Sequence, residues 1–262
     1  MKKLTAFLFC ALSSFHLFAG EEISYPAGDV TAKGYLALPE GASAATPVPG
    51  VVVVHEWWGN NEYAHKRADM IAELGYAALA IDMYGDGKVS THPKDAGSFA
   101  KEATAKLPVM KERFLAGMKT LQDRPEVNGT KIVSIGYCMG GKISLQMAAI
   151  GLDDLLGAAS FHGALNIEFP ESASPLKARL LVCNGADDSF IPPSAISSFM
   201  EASAERKADL TFLNLPGAIH GFSNPGATKL GEERGLQIAY NKNADETSWK
   251  ALKWFLMNLF EA

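Results

Sequence analysis

Short apolar runs recur through the chain from residue 51 onward, and they constrain the fold more than any other feature. They are rich in aliphatic and β-branched residues and do not alternate with polar ones, which is typical of strands buried on both faces of a parallel sheet. The runs span Val51 to Val54, Ala77 to Ile81, Lys131 to Ile135, Gly157 to Phe161, Arg179 to Cys183 and Leu210 to Leu215. The sequence therefore predicts a mostly parallel sheet.

Segments with helical character separate most of these runs. They span Glu62 to Leu74, Ala96 to Leu121, Met139 to Ile150, Pro193 to Ala204 and Glu246 to Leu259. Such alternation predicts right-handed crossovers that place helices on both faces of the sheet. Ahead of them, residues 22–25 and 30–38 flank a Pro-Ala-Gly-Asp turn, which indicates an N-terminal antiparallel hairpin. The predicted fold class is α/β.

The first twenty residues differ from the rest, because Lys2 and Lys3 precede an apolar run that ends at Ala19-Gly20. This order of charge, apolar run and small residues predicts a signal peptide over residues 1–20 and an exported protein, periplasmic or secreted. The run is short for a membrane span, although an uncleaved segment would act as an anchor. Hydrophobic residues make up 48% of the chain, enough for a sizeable core, and we expect residues 21–262 to form a single domain.

Charge and cysteine content exclude several classes of function. A net charge of -5, with no long basic run, argues against a nucleic-acid partner. Loss of Cys10 with the signal peptide would leave Cys138 and Cys183, too few for a disulfide framework although they could form one bridge. No His-Glu-x-x-His spacing is present, so no metal is expected. The oligomeric state does not follow from the sequence.

Gly136-Tyr137-Cys138-Met139-Gly140 lies between a predicted strand and a predicted helix. In a nucleophile elbow, the reacting residue takes a strained conformation, and glycines two positions away on either side relieve crowding. A thiol at a helix N-terminus also feels the positive end of the helix dipole, which favours the thiolate. A small buried cysteine beside a glycine-rich turn is the alternative interpretation.

Two later strand ends carry a possible acid and a possible base. Asp187 and Asp188 follow Cys183, and His220 lies between residues 217 and 221, both glycines. Each alone could be a solvated turn carboxylate or a surface histidine. Together, the order cysteine, aspartate and histidine, each after a strand, is that of the α/β-hydrolase fold. His162 is a rival base, and chain order favours His220.

His55 to Gly59 follow the strand that supplies one oxyanion-hole amide in that fold, and the other amide comes from the residue after the nucleophile. We therefore expect backbone N–H groups of Trp57 and Met139 to hold the oxyanion. Glu56 needs a partner or another role, because a carboxylate there would oppose the developing charge; one alternative is a structural pair with Arg67. Aromatic residues near strand ends are expected to wall a substrate pocket: Trp58, Tyr84 and Phe222.

Nearly the whole mature chain resembles the dienelactone hydrolase family. The motifs that carry the resemblance are His55 to Gly59, Asp82-Met83-Tyr84, Gly136 to Gly141, Gly185 to Pro192 and His220-Gly221-Phe222. The resemblance implies that Cys138 is the nucleophile, His220 the base and Asp188 the acid. It also implies that Glu56 pairs with the resting thiol and helps to deprotonate it when substrate arrives.

The chain departs from that family where substrate would bind, since Asp86 and Asn224 stand in place of two arginines that hold the carboxylate of dienelactone. We expect a cysteine-nucleophile hydrolase of another small-molecule ester or lactone, acting through a thioester and needing no cofactor. Two alternative functions are a thiol redox protein using Cys138 and Cys183, and a non-catalytic binding protein on the same scaffold.

Overall fold

A computed structural model describes residues 20–170 and 175–261. The predicted signal peptide lies outside these residues except for Gly20. An eight-stranded sheet forms the centre of the described part, in the order β1-β2-β4-β3-β5-β6-β7-β8. The strands are β1 Glu21–Ala27, β2 Val30–Ala37, β3 Val48–Val54, β4 Ala77–Ile81, β5 Val127–Tyr137, β6 Leu155–Phe161, β7 Arg179–Gly185 and β8 Leu210–Leu215.

The pairing directions confirm the predicted sheet. The first two strands form an antiparallel hairpin, β2 pairs antiparallel with β4, and the remaining neighbours are parallel. Helices connect most of the parallel strands. They are α1 Glu62–Ala72, α2 Pro93–Thr104, α3 Leu107–Gln122, α4 Met139–Ala149, α5 Pro193–Glu205, α6 Ala227–Arg234 and α7 Lys242–Phe260. None of the helices in the described part is long and apolar enough to cross a bilayer.

Alternate residues of the central strands feed two separate cores. Val52 and Val54 pack with α3, α4 and α5 on one face, and Val51 and Val53 pack with α1 and α7 on the other. This two-sided burial explains why the strands read as continuous apolar runs. Because these strands run parallel, their carboxyl ends lie at one edge of the sheet, where ligands of such folds bind.

Two helical predictions need correction. The single helix expected from Ala96 to Leu121 is broken into α2 and α3, because Lys106 is extended and Pro108 falls in the first turn of α3. Proline is tolerated there but not in a continuous helix interior, where its missing N–H and its ring disrupt the helix. The second correction is α6, which the sequence does not predict; it is a short and largely polar helix that ends at Gly235, a residue with left-handed backbone. It has no apolar stripe by which the sequence could reveal it.

Candidate active site

Cys138 lies on a sharp turn between β5 and α4. Its backbone has φ 54° and ψ -116°, a conformation that is rare outside glycine and marks stored strain. The carbonyl of Phe161 and the Nδ1 atom of His162 both accept from its N–H, at 3.0 and 3.1 Å. The residue predicted to sit on an elbow therefore does so, and its thiol is partly accessible to solvent.

Two glycines let the turn close. A Cβ atom on Gly136 would lie 2.0 Å from the carbonyl oxygen of Gly140, and a Cβ on Gly140 would lie 2.2 Å from the carbonyl oxygen of Val54. Both obstacles are backbone atoms, which cannot swing aside. The strand, the turn and the helix approach so closely that only glycine fits at these two positions.

The loops after β7 and β8 bring an acid and a base to Cys138. Nδ1 of His220 is 2.9 Å from Oδ2 of Asp188, and its Nε2 is 3.1 Å from Sγ of Cys138. Asp188 is buried, and its other oxygen accepts the backbone N–H of Phe190 at 2.9 Å. The three side chains form one continuous hydrogen-bonded chain, the arrangement that activates a nucleophile.

The surroundings of His220 favour its protonated form. Burial alone would lower its pKa, but the Cys138 sulfur and the hydrogen bonds to Asp188 and Cys138 outweigh burial and raise the pKa to about 10. At neutral pH the imidazole can therefore hold a proton and act as an acid toward a departing group.

The two rival residues, Asp187 and His162, are not part of the hydrogen-bonded chain from Asp188 through His220 to the sulfur. Asp187 is exposed, and its backbone N–H donates to Ala218. His162 is fully buried; because Nδ1 accepts from Cys138, Nε2 carries the proton and donates to Ser223 Oγ at 2.8 Å. Burial, with the positive charges of His220 and Arg67, holds the pKa of His162 well below its usual range. His162 is thus a neutral support for the elbow.

Ser223 continues this support away from Cys138. Its hydroxyl contacts the hydroxyl of Tyr63 at 2.8 Å, and its carbonyl accepts from Nη2 of Arg67. The same Nη2 atom lies 2.6 Å from Asp245. The rings of Tyr63, Tyr137 and Trp249 surround the guanidinium, each at 5.3 to 5.5 Å. Arg67 therefore ties the loop after β8 to α1 and α7.

Glu56 contacts an unexpected partner. One carboxylate oxygen accepts from Nδ2 of Asn224 at 2.7 Å, whereas Arg67 is engaged by Asp245 and the thiol of Cys138 contacts His220. The pairing of Glu56 with Arg67 is therefore wrong, and the implied pairing with the resting thiol is replaced by the amide of Asn224. Burial raises the pKa of Glu56 to about 7, although Asn224 and the charges of His220 and Arg67 oppose the rise.

The two residues expected to donate to the oxyanion, Trp57 and Met139, lie close to each other at the site. Met139 is the first residue of α4, where a backbone N–H has no acceptor within the helix, and Trp57 follows Glu56 in the loop after β3. Tyr84 holds both residues: its hydroxyl donates to the Trp57 carbonyl at 2.8 Å and contacts Met139 Sδ at 3.5 Å. One side chain thus links the two residues that carry the candidate donors.

A small cavity opens over the sulfur, with a volume of about 260 Å³ including its mouth. Trp58 belongs to its wall, as expected. The expectation that Tyr84 and Phe222 contact substrate does not match their positions, because both are buried behind the wall, Tyr84 under Trp57 and Phe222 against His162. The lining residues are Glu56, Trp57, Trp58, Cys138, His220, Gly221, Asn224, Ala227, Leu230 and Ile238.

Two residues of this wall, Leu230 and Ile238, are not predicted from the sequence. Leu230 lies on α6, and Ile238 pairs with His220 in a single parallel bridge. Neither follows a strand, so the rule that functional residues follow strand ends gives no signal for them. Asn224 was noticed only as a departure from an arginine. Asp86, the other departure, lies on an exposed loop with Lys88 and outside the cavity wall.

The second cysteine has different surroundings. Cys183 is fully buried in the core on the α1 and α7 side, whereas Cys138 packs against the opposite core. Burial raises the pKa of the Cys183 thiol far above its usual range. Across the described ranges, no group of three histidine, cysteine or carboxylate side chains is arranged to hold a metal ion.

A twisted, mostly parallel sheet with an N-terminal hairpin, and a Cys-His-Asp chain at its strand ends, define an α/β hydrolase. The model of the dienelactone hydrolase family matches residues 32–260. A carboxymethylenebutenolidase homologue from Saccharolobus solfataricus is 28% identical, over 90% of this chain and 97% of that protein.

Solved structures agree with this match. A dienelactone hydrolase-like promiscuous phosphotriesterase from metagenomic libraries has a TM-score of 0.85 at 33% identity, over 92% of this chain and 98% of that one. Dienelactone hydrolase from Anabaena variabilis shares the fold, with a TM-score of 0.64 at 21% identity over 94% and 100% of the two chains. The chain belongs to the dienelactone hydrolase family, and it is a hydrolase of carboxylic esters or lactones.

Proposed function

We propose that the protein hydrolyses esters or lactones by covalent catalysis, with Cys138 as nucleophile and a thioester as acyl-enzyme. The observation that carries the proposal is the hydrogen-bonded chain from Asp188 through His220 to Cys138, with Nε2 of His220 3.1 Å from the sulfur. Cys138 and His220 both line the cavity, so a substrate carbonyl can reach Sγ.

In acylation, Sγ of Cys138 attacks the carbonyl carbon, a C–S bond forms, and the carbonyl electron pair moves to oxygen. The N–H groups of Trp57 and Met139 hold this oxyanion. When the intermediate collapses, the C–O bond to the alcohol breaks and His220 gives its Nε2 proton to the departing alkoxide. With a lactone, the alcohol remains part of the same molecule.

In deacylation, His220 takes a proton from water, and the hydroxide formed attacks the thioester carbonyl. The C–S bond then breaks, the carboxylic acid leaves, and the thiolate of Cys138 is restored beside protonated His220. Asp188 holds the imidazole in one orientation through both steps.

Glu56 supports the charge distribution of this cycle. Its carboxyl lies in the cavity wall with His220 and is held by Asn224. In its ionised form it stabilises protonated His220, the proton donor of this cycle. The negative charge near the oxyanion is offset by the amide of Asn224 and by the cation of Arg67.

The cavity wall favours an uncharged and short acyl group. Its lining includes the carboxyl of Glu56 and no arginine or lysine, so an anionic acyl group would meet repulsion without a partner. The cavity is also small, about 260 Å³ even with its open mouth included. Short neutral acyl groups therefore fit this site best.

A second activity, on neutral phosphotriesters, is favoured by two observations. The 33% identical structural relative is a promiscuous phosphotriesterase, and the cavity of this chain accepts uncharged groups. Sγ would displace an aryloxide at phosphorus, forming an S–P bond, and water would then release the phosphodiester. Turnover of a nitrophenyl dialkyl phosphate that is lost in Cys138→Ala tests this activity.

We also propose that the protein is exported, from the charged start, apolar run and small residues of its first twenty positions. Fractionation of expressing cells and N-terminal sequencing of the product test this. A mature chain beginning near Gly20 or Glu21 in the exported fraction is expected. A product that keeps residues 1–20 would contradict signal cleavage.

The central test is a rate survey over nitrophenyl esters and small lactones. Cys138→Ala should lower kcat/KM by at least about a thousandfold, whereas Cys183→Ala, the matched control in the core, should stay within about threefold. Mass spectrometry of the quenched enzyme should find the acyl group on Cys138. Equal rates for wild type and Cys138→Ala would refute the proposal. A reversible Cys138–Cys183 disulfide without esterase activity would favour a redox protein.

A further inference from the structure

Phe190 is a large apolar side chain that the fold leaves in solvent. It lies in the turn between β7 and α5, and 54% of its surface is exposed. Its backbone N–H supports Asp188, but its ring is not needed for that hydrogen bond. About half of the residue's surface is therefore available for contact with a ligand.

The exposed ring lies directly beside the proposed base. The ring centroids of Phe190 and His220 are 5.0 Å apart, and the planes cross at 84°, an edge-to-face contact. Phe190 lies outside the small cavity, whose apolar wall comes from Trp57, Leu230 and Ile238 among others. The imidazole thus separates an enclosed apolar space from an open one.

Chemistry decides which part of the substrate meets each space. The oxygen of the departing alcohol must come within hydrogen-bond reach of Nε2 of His220 to receive its proton. The carbons attached to that oxygen can then reach the Phe190 ring, which lies against the imidazole. The acyl group, bonded to Cys138, would occupy the cavity that Trp57 and Leu230 line.

We infer that Phe190 forms a leaving-group subsite, and that the enzyme prefers esters whose alcohol is bulky and apolar, such as a benzyl or other aryl-bearing alcohol. The inference rests on the proposed function, since it needs His220 as the proton donor. Edge-to-face or stacked contact with the Phe190 ring, together with the water it displaces, supplies the preference.

The experiment compares two acetate esters whose alcohols have similar acidity, benzyl acetate and methoxyethyl acetate. Their acyl-enzyme is the same, so a difference in kcat/KM reports the alcohol alone. The variants are Phe190→Ala, Phe190→Leu and, as a matched exposed aromatic on α7, Trp254→Ala, whose side chain is 58% exposed. Breakdown of the acetyl-enzyme is measured separately in a pre-steady-state experiment.

Wild type should favour benzyl acetate in kcat/KM, and Phe190→Ala should reduce this preference by about tenfold. Phe190→Leu should retain part of the preference, and Trp254→Ala all of it. Acetyl-enzyme breakdown should be unchanged in every variant, because the alcohol has already left.

Two outcomes would overturn the inference. An unchanged preference in Phe190→Ala would show that the ring does not touch the alcohol. An equal loss on both esters, with slower acetyl-enzyme breakdown, would show that Phe190 only positions His220. Failure of the proposed function looks different, because then no ester would be hydrolysed faster by wild type than by Cys138→Ala.

Discussion

The elbow at residues 136–140 and the long connection at residues 216–241 both supply the site, but they are held by different forces. The elbow is closed by backbone atoms in contact, with no room for a Cβ at Gly136. The connection, which joins β8 to α7, carries backbone hydrogen bonds of its own and is tied to the rest of the site by side-chain hydrogen bonds: His220 to Asp188, Arg67 to the Ser223 carbonyl, and Ser189 to Gln237.

This difference separates two requirements of the chemistry. In the proposed mechanism the sulfur of Cys138 and the N–H of Met139 must not move, and close packing gives the stiffest support. The base must exchange a proton with sulfur, alkoxide and water in turn, and a loop held by polar contacts allows small adjustments. Across the cavity, Asn224 of the connection donates to Glu56 in the loop after β3.

The largest expected effect breaks the elbow. In Gly136→Ala the new Cβ would meet the Gly140 carbonyl at 2.0 Å, so strand and helix must separate. We expect a loss of at least about 4 kcal/mol in unfolding free energy, or no folded protein. In Gly235→Ala, at the end of α6, nothing lies within 4 Å and only the left-handed φ of 64° opposes the change. There we expect a loss of about 1 kcal/mol.

Urea unfolding of both variants measures this contrast, with esterase activity as a second readout. Similar losses in the two variants would mean that backbone contact is no more important at the elbow than in the connection.

The same contrast explains how much could be predicted from the sequence. The elbow is a local pattern, because Gly136, Cys138 and Gly140 must all be present at fixed spacing for the turn to close. The buried strands are also predictable from local apolar runs, and Asp188 and His220 are found just after two of these strands. Sheet topology then brings these residues together without further information.

The contacts made by the connection could not be predicted from the sequence. Asn224 and Ile238 act through contacts with residues far away in the chain, and Glu56 finds its partner 168 positions later. No local periodicity encodes such a contact. The same holds for Phe190, whose exposure becomes informative only when its distance to His220 is known.

A smaller effect is expected from loosening the connection. Arg67→Met removes the cation that binds the Ser223 carbonyl, and it leaves the largely buried carboxylate of Asp245 with the hydroxyl of Tyr240 but without its cation. We expect a loss of about 3 kcal/mol in unfolding free energy. Because Ser223 precedes Asn224 and its hydroxyl contacts His162, which supports the elbow, kcat/KM should also fall.

The control is Arg67→Met combined with Asp245→Asn, which removes the uncompensated charge. Thermal or urea unfolding should show that the double variant recovers part of the lost stability, while kcat/KM remains low because Ser223 still lacks its donor. Full recovery of both would mean that Arg67 serves only to neutralise Asp245.

The smallest effect concerns the contact of Asn224, in the connection, with Glu56 in the loop after β3. Glu56 has a pKa raised to about 7 by burial, so it ionises as the pH rises through 7, and His220, with a pKa of about 10, keeps its proton until well above that. If ionised Glu56 supports the protonated imidazole, kcat/KM should rise with pH up to about 7, level off, and fall as His220 deprotonates.

Glu56→Gln keeps the size of the side chain and can still contact Asn224, but it cannot ionise. We expect its plateau kcat/KM to be about tenfold lower and its rise near pH 7 to disappear, with the alkaline fall retained. Rates from pH 5 to 10, corrected for spontaneous ester hydrolysis, measure both limbs. If the acidic limb persists unchanged in Glu56→Gln, another group controls it, and Glu56 then contributes to the site only through its hydrogen bond to Asn224.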